Sequence, residues 1–273
     1  MKSVFTILIP ALAIVLLFRF TGVWGGLAGF AVYFIGMIFI KLPDYLMILA
    51  GMQYEKNREK SLAYMEKALK TKRLRVEYIL YYGFVCLKAG EVERAERVLA
   101  EAEGKKMSPE TACRAAVNRA LLVWKKGDIA KAIEILEEQL KIGENKAVYG
   151  TLGQLLLQNG QLQRAREVNE RAFVFDKYDE AITDNLALTY RMTGDIDSSV
   201  NLYKELTGKR LGIPLPYYNY GETLYGIGRK AEAIEMMEKA LAYPFSALAV
   251  VSRDEICARI AQIEAEIKES EEK

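Results

Sequence analysis

The chain has 273 residues, 51% of them hydrophobic and 27% charged, with 38 basic against 36 acidic groups and no histidine. A chain of this length holds one or two domains, and its apolar share is enough to bury a core. Without histidine it lacks the usual proton shuttle near neutral pH and the commonest nitrogen ligand for metals, which excludes histidine-dependent serine, cysteine and zinc chemistry.

The first 40 residues carry only Lys2 and Arg19 as charged side chains. They contain two apolar runs, 4–20 and 23–40, of 17 and 18 residues. As helices these are each roughly 26 Å long, the short end of what spans a bilayer core of about 30 Å. Arg19, Thr21 and Gly22 separate the runs, with Trp24 beside them as an interfacial aromatic. Residues 1–41 are therefore expected to form a two-helix transmembrane hairpin in the lipid bilayer. No small-residue cleavage site precedes the second run, so a removed leader is not expected. Gly25 and Gly29 stand four apart, with Gly26 and Gly36 nearby, a spacing that lets another helix approach closely. Lys41, Lys56, Arg58 and Lys60 follow the second run, and the positive-inside rule then puts both ends, and the rest of the chain, in the cytoplasm.

From residue 41 onward the charges balance at 36 basic and 36 acidic, so no global field favours nucleic acid. Locally, residues 41–75 hold nine basic and four acidic groups, a pattern that suits either anionic headgroups or a solvated helix face. Cys86, Cys113 and Cys257 are widely spaced and odd in number, with no C-x-x-C pair. They are expected to be buried, reduced thiols.

The next signal is a period. Gly90, Gly127, Gly160, Gly194 and Gly228 recur at intervals of 37, 33, 34 and 34 residues. Five residues after each comes Ala95, Ala132, Ala165, Ser199 or Ala233, and seven before each comes Gly83, Ala120, Gly153, Ala187 or Gly221. Small residues at these places let paired helices cross closely, and the turn glycine can take the left-handed conformation that ends the first helix. One period upstream, Ser61, Met65, Ala68 and Leu69 repeat the second-helix pattern, so residues 42–75 are expected to form a juxtamembrane half-repeat. Ile256, Ile260, Ile263 and Ile267 form an apolar stripe at helical spacing. With an acidic tail it makes 246–273 a capping segment for the last repeat.

This pattern resembles the tetratricopeptide repeat, with its bulky, Leu-Gly and aromatic positions on a first helix and Ala and bulky positions on a second. The fifth unit matches best, through Tyr217, Tyr220, Gly221, Leu224, Gly228, Ala233, Met237, Ala240 and Leu241 up to Pro244. Arg119 in the second unit and Ser199 in the fourth depart from the pattern, so looser packing is expected there. The fold class implied is all-α: a helix-turn-helix solenoid of about five and a half repeats, five of them within 76–245, with a capping helix.

The resemblance implies that the first helices line a concave groove for a protein or peptide partner. By family position its first half is lined by Leu80, Phe84, Leu87, Lys88, Val117, Leu121, Trp124 and Lys125, and is mostly apolar. The second half carries Gln154, Leu157, Gln158, Asp184, Arg191, Tyr218, Glu222 and Tyr225. The lysine and asparagine that start the chaperone-tail clamp of some family members are replaced by Leu80 and Phe84. Asn118, Asn185 and Asn219 recur at the repeat spacing, two periods and then one apart, which repeat structure itself explains. The function expected is a membrane-anchored scaffold. Self-association through the glycine-bearing hairpin and the apolar groove is the alternative, and an enzyme using Asp, Glu, Tyr or Lys alone is the remoter one. No catalytic, metal or cofactor residues are expected, because no Gly-rich phosphate loop or nucleophile motif is present.

Overall fold

The computed structural model describes the backbone of residues 2–209 and 211–272, and side chains from Leu12 onward. The side chains of Lys2 and of 4–11, and all of Lys273, lie outside the described residues. Among the described residues there are thirteen helices and no strand. They form two compact units, Met1–Tyr78 and Ile79–Lys273.

In the first unit, α1 (Lys2–Gln53) is broken at Gly22, where φ is 72° and ψ is −170°. Beyond the break, Gly26 abuts the ring of Phe18, and a Cβ on Gly29 would lie 2.5 Å from Cδ1 of Leu17. On one straight helix residues 17 and 29 would stand about 18 Å apart. The chain therefore turns back at Gly22, and glycines give the returning arm the room to lie against Leu17 and Phe18. Leu12–Gln53 contains an 18-residue window of mean hydropathy 2.0, long and apolar enough to cross a membrane. Its surface is bare, with Trp24 84% and Phe20 77% exposed.

No break marks residue 41. Although Pro43 removes one backbone donor, the helix runs on to Gln53 and its last turns become the first helix of a pair with α2 (Arg58–Lys70). Met47 and Ala50 are buried against that partner, and the buried hydroxyl of Ser61 donates to the Ala50 carbonyl at 2.8 Å. Asn57 caps α2 by accepting from the Lys60 amide. The turn beyond it folds back on α1: Arg73 sits over the Phe39 ring at 4.0 Å, and Arg75 pairs with Asp44.

The second unit stacks five pairs and a final helix. The pairs are α3 (Val76–Ala89) with α4 (Val92–Ala100), α5 (Pro109–Lys125) with α6 (Ile129–Ile142), and α7 (Lys146–Gln158) with α8 (Leu162–Phe175). They continue with α9 (Glu180–Met192) and α10 (Ile196–Thr207), then α11 (Leu215–Gly226) and α12 (Lys230–Leu241), before α13 (Arg253–Glu271). All five turn glycines have positive φ, between 69° and 98°. Side-chain caps start most helices: Ser108 ahead of Pro109, Asp128, Asn145, Asp179, Asp195, and a Ser252–Glu255 capping box on α13.

Within pairs the small positions are closed. Ala95, Ala132, Ala165, Ser199 and Ala233 are fully buried, and Gly83 faces Leu99. Ser199 buries its hydroxyl without a hydrogen-bond partner. Arg119 lines an open pocket of about 730 Å³ with Leu99, Ala116 and Ile135, so the second interface is loose where an arginine stands at the bulky position. Ile256 and Ile263 of α13 join the core of Tyr217, Tyr220, Leu224 and Met237, with Ile260 and Ile267 packed alongside. Two expectations need correction. Cys257 is exposed, since it lies off the isoleucine stripe, while Cys86 and Cys113 are buried. Residues 246–252 are not part of the capping helix, which begins at Arg253.

A Cβ on Gly221 would stand 2.9 Å from the Ala233 carbonyl oxygen and 2.8 Å from Met237 Cγ, so alanine there must push α11 and α12 apart. Gly226 faces open space without a positive φ. Gly221→Ala is expected to lose about 1–3 kcal/mol in urea unfolding, as overpacked cores do, whereas Gly226→Ala should be neutral or stabilising by up to about 1 kcal/mol from helix propensity.

Candidate interaction groove

The first helices α5, α7, α9 and α11 pack on one another in series, while each second helix packs on the first helix of the next pair. The row of first helices therefore takes the shorter, inner path of the stack. Three asparagines tie this row together. Asn118 donates to the Leu80 carbonyl at 2.8 Å, Asn185 to the Gly150 carbonyl at 2.7 Å, and Asn219 to the Asp184 carboxylate at 3.0 and 3.2 Å. Each occupies the same place in its repeat and reaches the preceding first helix. Their recurrence is architectural, as periodicity suggested.

The expected groove residues divide by exposure. Phe84, Lys88, Trp124, Lys125, Gln154, Arg191, Tyr218, Glu222 and Tyr225 are part-exposed, and Gln158 is exposed. Leu80, Leu87, Val117, Leu121, Leu157 and Asp184 are buried, Leu87 completely. These last contribute walls and core rather than open contact surface. Lys125 holds its ammonium 4.8 Å from the centre of the Trp124 ring.

At the far end α13 lies against the expected lining. Arg259 pairs with Glu222 at 2.8 Å and stacks on Tyr225 at 4.1 Å, and the Tyr225 hydroxyl donates to Glu266, which also pairs with Lys230 at 2.9 Å. The hydrogen bond to Glu222 holds the Arg259 guanidinium above its usual value, and Lys230, then Tyr225, hold Glu266 below the usual carboxylate range. Glu222 and Tyr225 are thus occupied by the chain's own last helix. Parallel to α11, that helix stands where a sixth first helix would.

Two family models described as tetratricopeptide repeat match the chain, over residues 123–174 and 216–244. The first runs from the end of α5 through α8, and the second covers α11, its glycine turn and α12, the helix-turn-helix units whose glycines have just been described. Both segments are tetratricopeptide repeats. A tetratricopeptide repeat protein from Parabacteroides merdae shares the fold at a TM-score of 0.65 and 13% identity, over 95% of this chain and 99% of that one. The Cut9–Hcn1 assembly of the anaphase-promoting complex follows at 0.57 and 14%, over 86% of this chain and 42% of that one. Pseudomonas aeruginosa pilF stands at 0.53 and 13%, over 73% and 90%. None of the curated proteins matches. At such identities the likeness speaks for fold alone.

One tetratricopeptide-repeat position here is chemically unusual. Asp184 is 2% exposed, and burial raises its pKa to about 6, against the opposing hydrogen bonds from Asn219 and Tyr203 and the charge of Arg191. Burial, and then the charge of Asp184, push the Tyr203 phenol well above its ordinary value. Arg191 keeps a buried Nε without a hydrogen-bond partner. No group of three or more metal-ligating side chains occurs among the described residues.

Because the folded state binds this proton more tightly than the unfolded chain, stability from Asp184 is full below about pH 4 and falls as pH rises towards about 6. A shift of this size corresponds to roughly 3 kcal/mol, to order of magnitude. Asp184→Asn, which keeps an acceptor for Asn219, is expected to be more stable than the parent at pH 7.5 and equal to it near pH 4. Urea unfolding across that range checks it, and parallel curves for the two proteins would refute the assignment.

Proposed function

We propose that the chain is a membrane-anchored interaction scaffold: α1 holds it in a bilayer, and the row of first helices binds a protein or peptide. The tetratricopeptide repeats support protein binding in general. The observation that carries the groove is the run of part-exposed aromatic side chains along it, Phe84, Trp124 and Tyr218, beside Lys88, Lys125 and Gln154. Large aromatics at a partly enclosed surface lose little conformational freedom on binding and dominate such interfaces. The bare apolar surface of α1 supports the anchor, since water would not tolerate a patch of that extent. In this reading both arms of the hairpin cross the membrane, and Lys41 with the basic groups beyond supports a cytoplasmic side for the repeats. Self-assembly through the hairpin glycines is disfavoured, because Gly25, Gly26 and Gly29 already lie against Thr21, Phe18 and Leu17 of the other arm.

Two experiments test this. Deleting residues 1–40 is expected to move the protein from the membrane pellet to the supernatant. Tyr45, Ile48, Leu49 and Met52 remain exposed, and retention in the pellet would mean that this stripe also holds the bilayer. The exposed Cys257 thiol reports sidedness: a membrane-impermeant maleimide should label it in inverted vesicles and not in intact cells. For the groove, a photo-crosslinking residue at Trp124 is expected to give a discrete adduct in native membranes, and one at the exposed Glu167 of α8 none. Equal capture at both positions would refute a groove-specific partner.

A further inference from the structure

The connection between α12 and α13 is eleven residues, 242–252, whereas those between the other pairs of the second unit run from three to eight. It does not simply turn. Its middle crosses to the opposite end of the stack, where the Ala247 amide donates to the Lys88 carbonyl at 2.9 Å and the Ala247 carbonyl accepts from Lys125 Nζ at 2.7 Å. Lys88 and Lys125 hold the same place in α3 and α5, five residues after Gly83 and Ala120. The neighbouring α3 carbonyls of Cys86 and Leu87 are already satisfied by the amides of Glu91 and Gly90, and the amide of Ala247 caps the next one. A Cβ on Gly90 would lie 3.2 Å from that of Ala247, so only a small side chain fits at this point.

The crossing segment is held at its roots. Tyr243 stacks on Tyr217 at 5.5 Å, Arg253 donates to the carbonyls of Leu241 and Tyr243, and Val251 is buried. Between these anchors, residues 243–251 read Tyr-Pro-Phe-Ser-Ala-Leu-Ala-Val-Val, without a charge. Of this segment only Val251 is buried; Tyr243 and Phe245 pack half-buried against the core at its root, and no residue from Ser246 to Val250 is buried.

We propose that residues 244–250 are a built-in strap occupying the first half of the groove as a ligand would. The partner for that half is an extended peptide with a small residue between apolar ones, which displaces the strap and takes over the Lys88 carbonyl and the Lys125 ammonium. One acceptor and one donor fixed on a single residue recognise a peptide backbone, and the Gly90 wall selects a small side chain. This rests on the groove as the binding surface. It adds that the groove is closed at rest, and that an incoming peptide competes with a tethered one whose effective concentration is in the millimolar range for a short linker.

The test uses the full-length protein in detergent and a fluorescein-labelled peptide of residues 243–251. In one variant residues 245–250 are replaced by a Gly-Ser stretch of equal length. A second, Ala247→Leu, keeps the anchors but places too large a side chain against Gly90. Peptide anisotropy should show saturable binding to both variants, at least tenfold tighter than to the parent, with unchanged circular dichroism. Adding Lys125→Met to either should weaken binding at least fivefold. If Ala247→Leu stays folded and binds no better than the parent, the strap does not guard the site and the proposal falls. Binding that ignores Lys125→Met would likewise overturn it. A partner that still crosslinks at Trp124 while the peptide binds nowhere would sink the strap and leave the groove standing.

Discussion

Paired helices in this protein meet so closely that their contact positions have no space for a larger side chain. Gly221 faces the backbone of α12, Gly83 faces Leu99, and the alanines opposite are sealed from water. That approach fixes the distance and angle within each pair, and the left-handed glycine turn fixes the direction in which the second helix leaves. Because every pair leans on its neighbours, small errors would accumulate along the stack. The repeats guard against this with the residues whose replacement would be felt most.

Between pairs, polar groups set the register. Asn118, Asn185 and Asn219 each reach the preceding first helix, and Asn169 bonds Thr189 from the second helix of the third pair. In a low-dielectric interior such bonds matter less for net stability than for making a slipped arrangement expensive, since a displaced amide would stay buried and unpaired. The third repeat lacks the device: Thr151 stands at that place and bonds back to Ala147 in its own helix. At the fifth, Asn219 donates to the Asp184 carboxylate rather than to a carbonyl, and with it the register contact becomes sensitive to protonation.

Most of the repeat architecture was legible because it is written locally and repeatedly. A 34-residue spacing of glycines names the turns, and all five have the backbone conformation that only glycine adopts without strain. The half-repeat at Ser61 and the isoleucine stripe of α13 were visible for the same reason. What was not legible depends on contacts distant in sequence. Nothing near Leu87 or Asp184 tells that their neighbours close over them. Glu222 and Tyr225 look like groove residues until α13 takes the place of a sixth first helix. The end of the apolar segment was hidden differently: the charges that begin at Lys41 read as a boundary, yet the helix passes through it. Residues 242–252 have no period, and their destination was invisible.

A stack of repeats held only by nearest-neighbour contacts behaves as an elastic, nearly one-dimensional object, whose ends can fray and whose units can fold in any order. Here the Lys125–Ala247 contact joins residues 122 apart in sequence and returns the last repeat to the first two. Such a tie converts a spring with free ends into a ring. It raises the contact order, which slows folding, because the long loop must close before the contact forms. It also couples the fraying of one end to that of the other, so stretching or local melting at α3 is felt at α12. Releasing the tie would restore compliance to the whole stack at once, making its stiffness a property of whatever lies between Lys88 and Lys125.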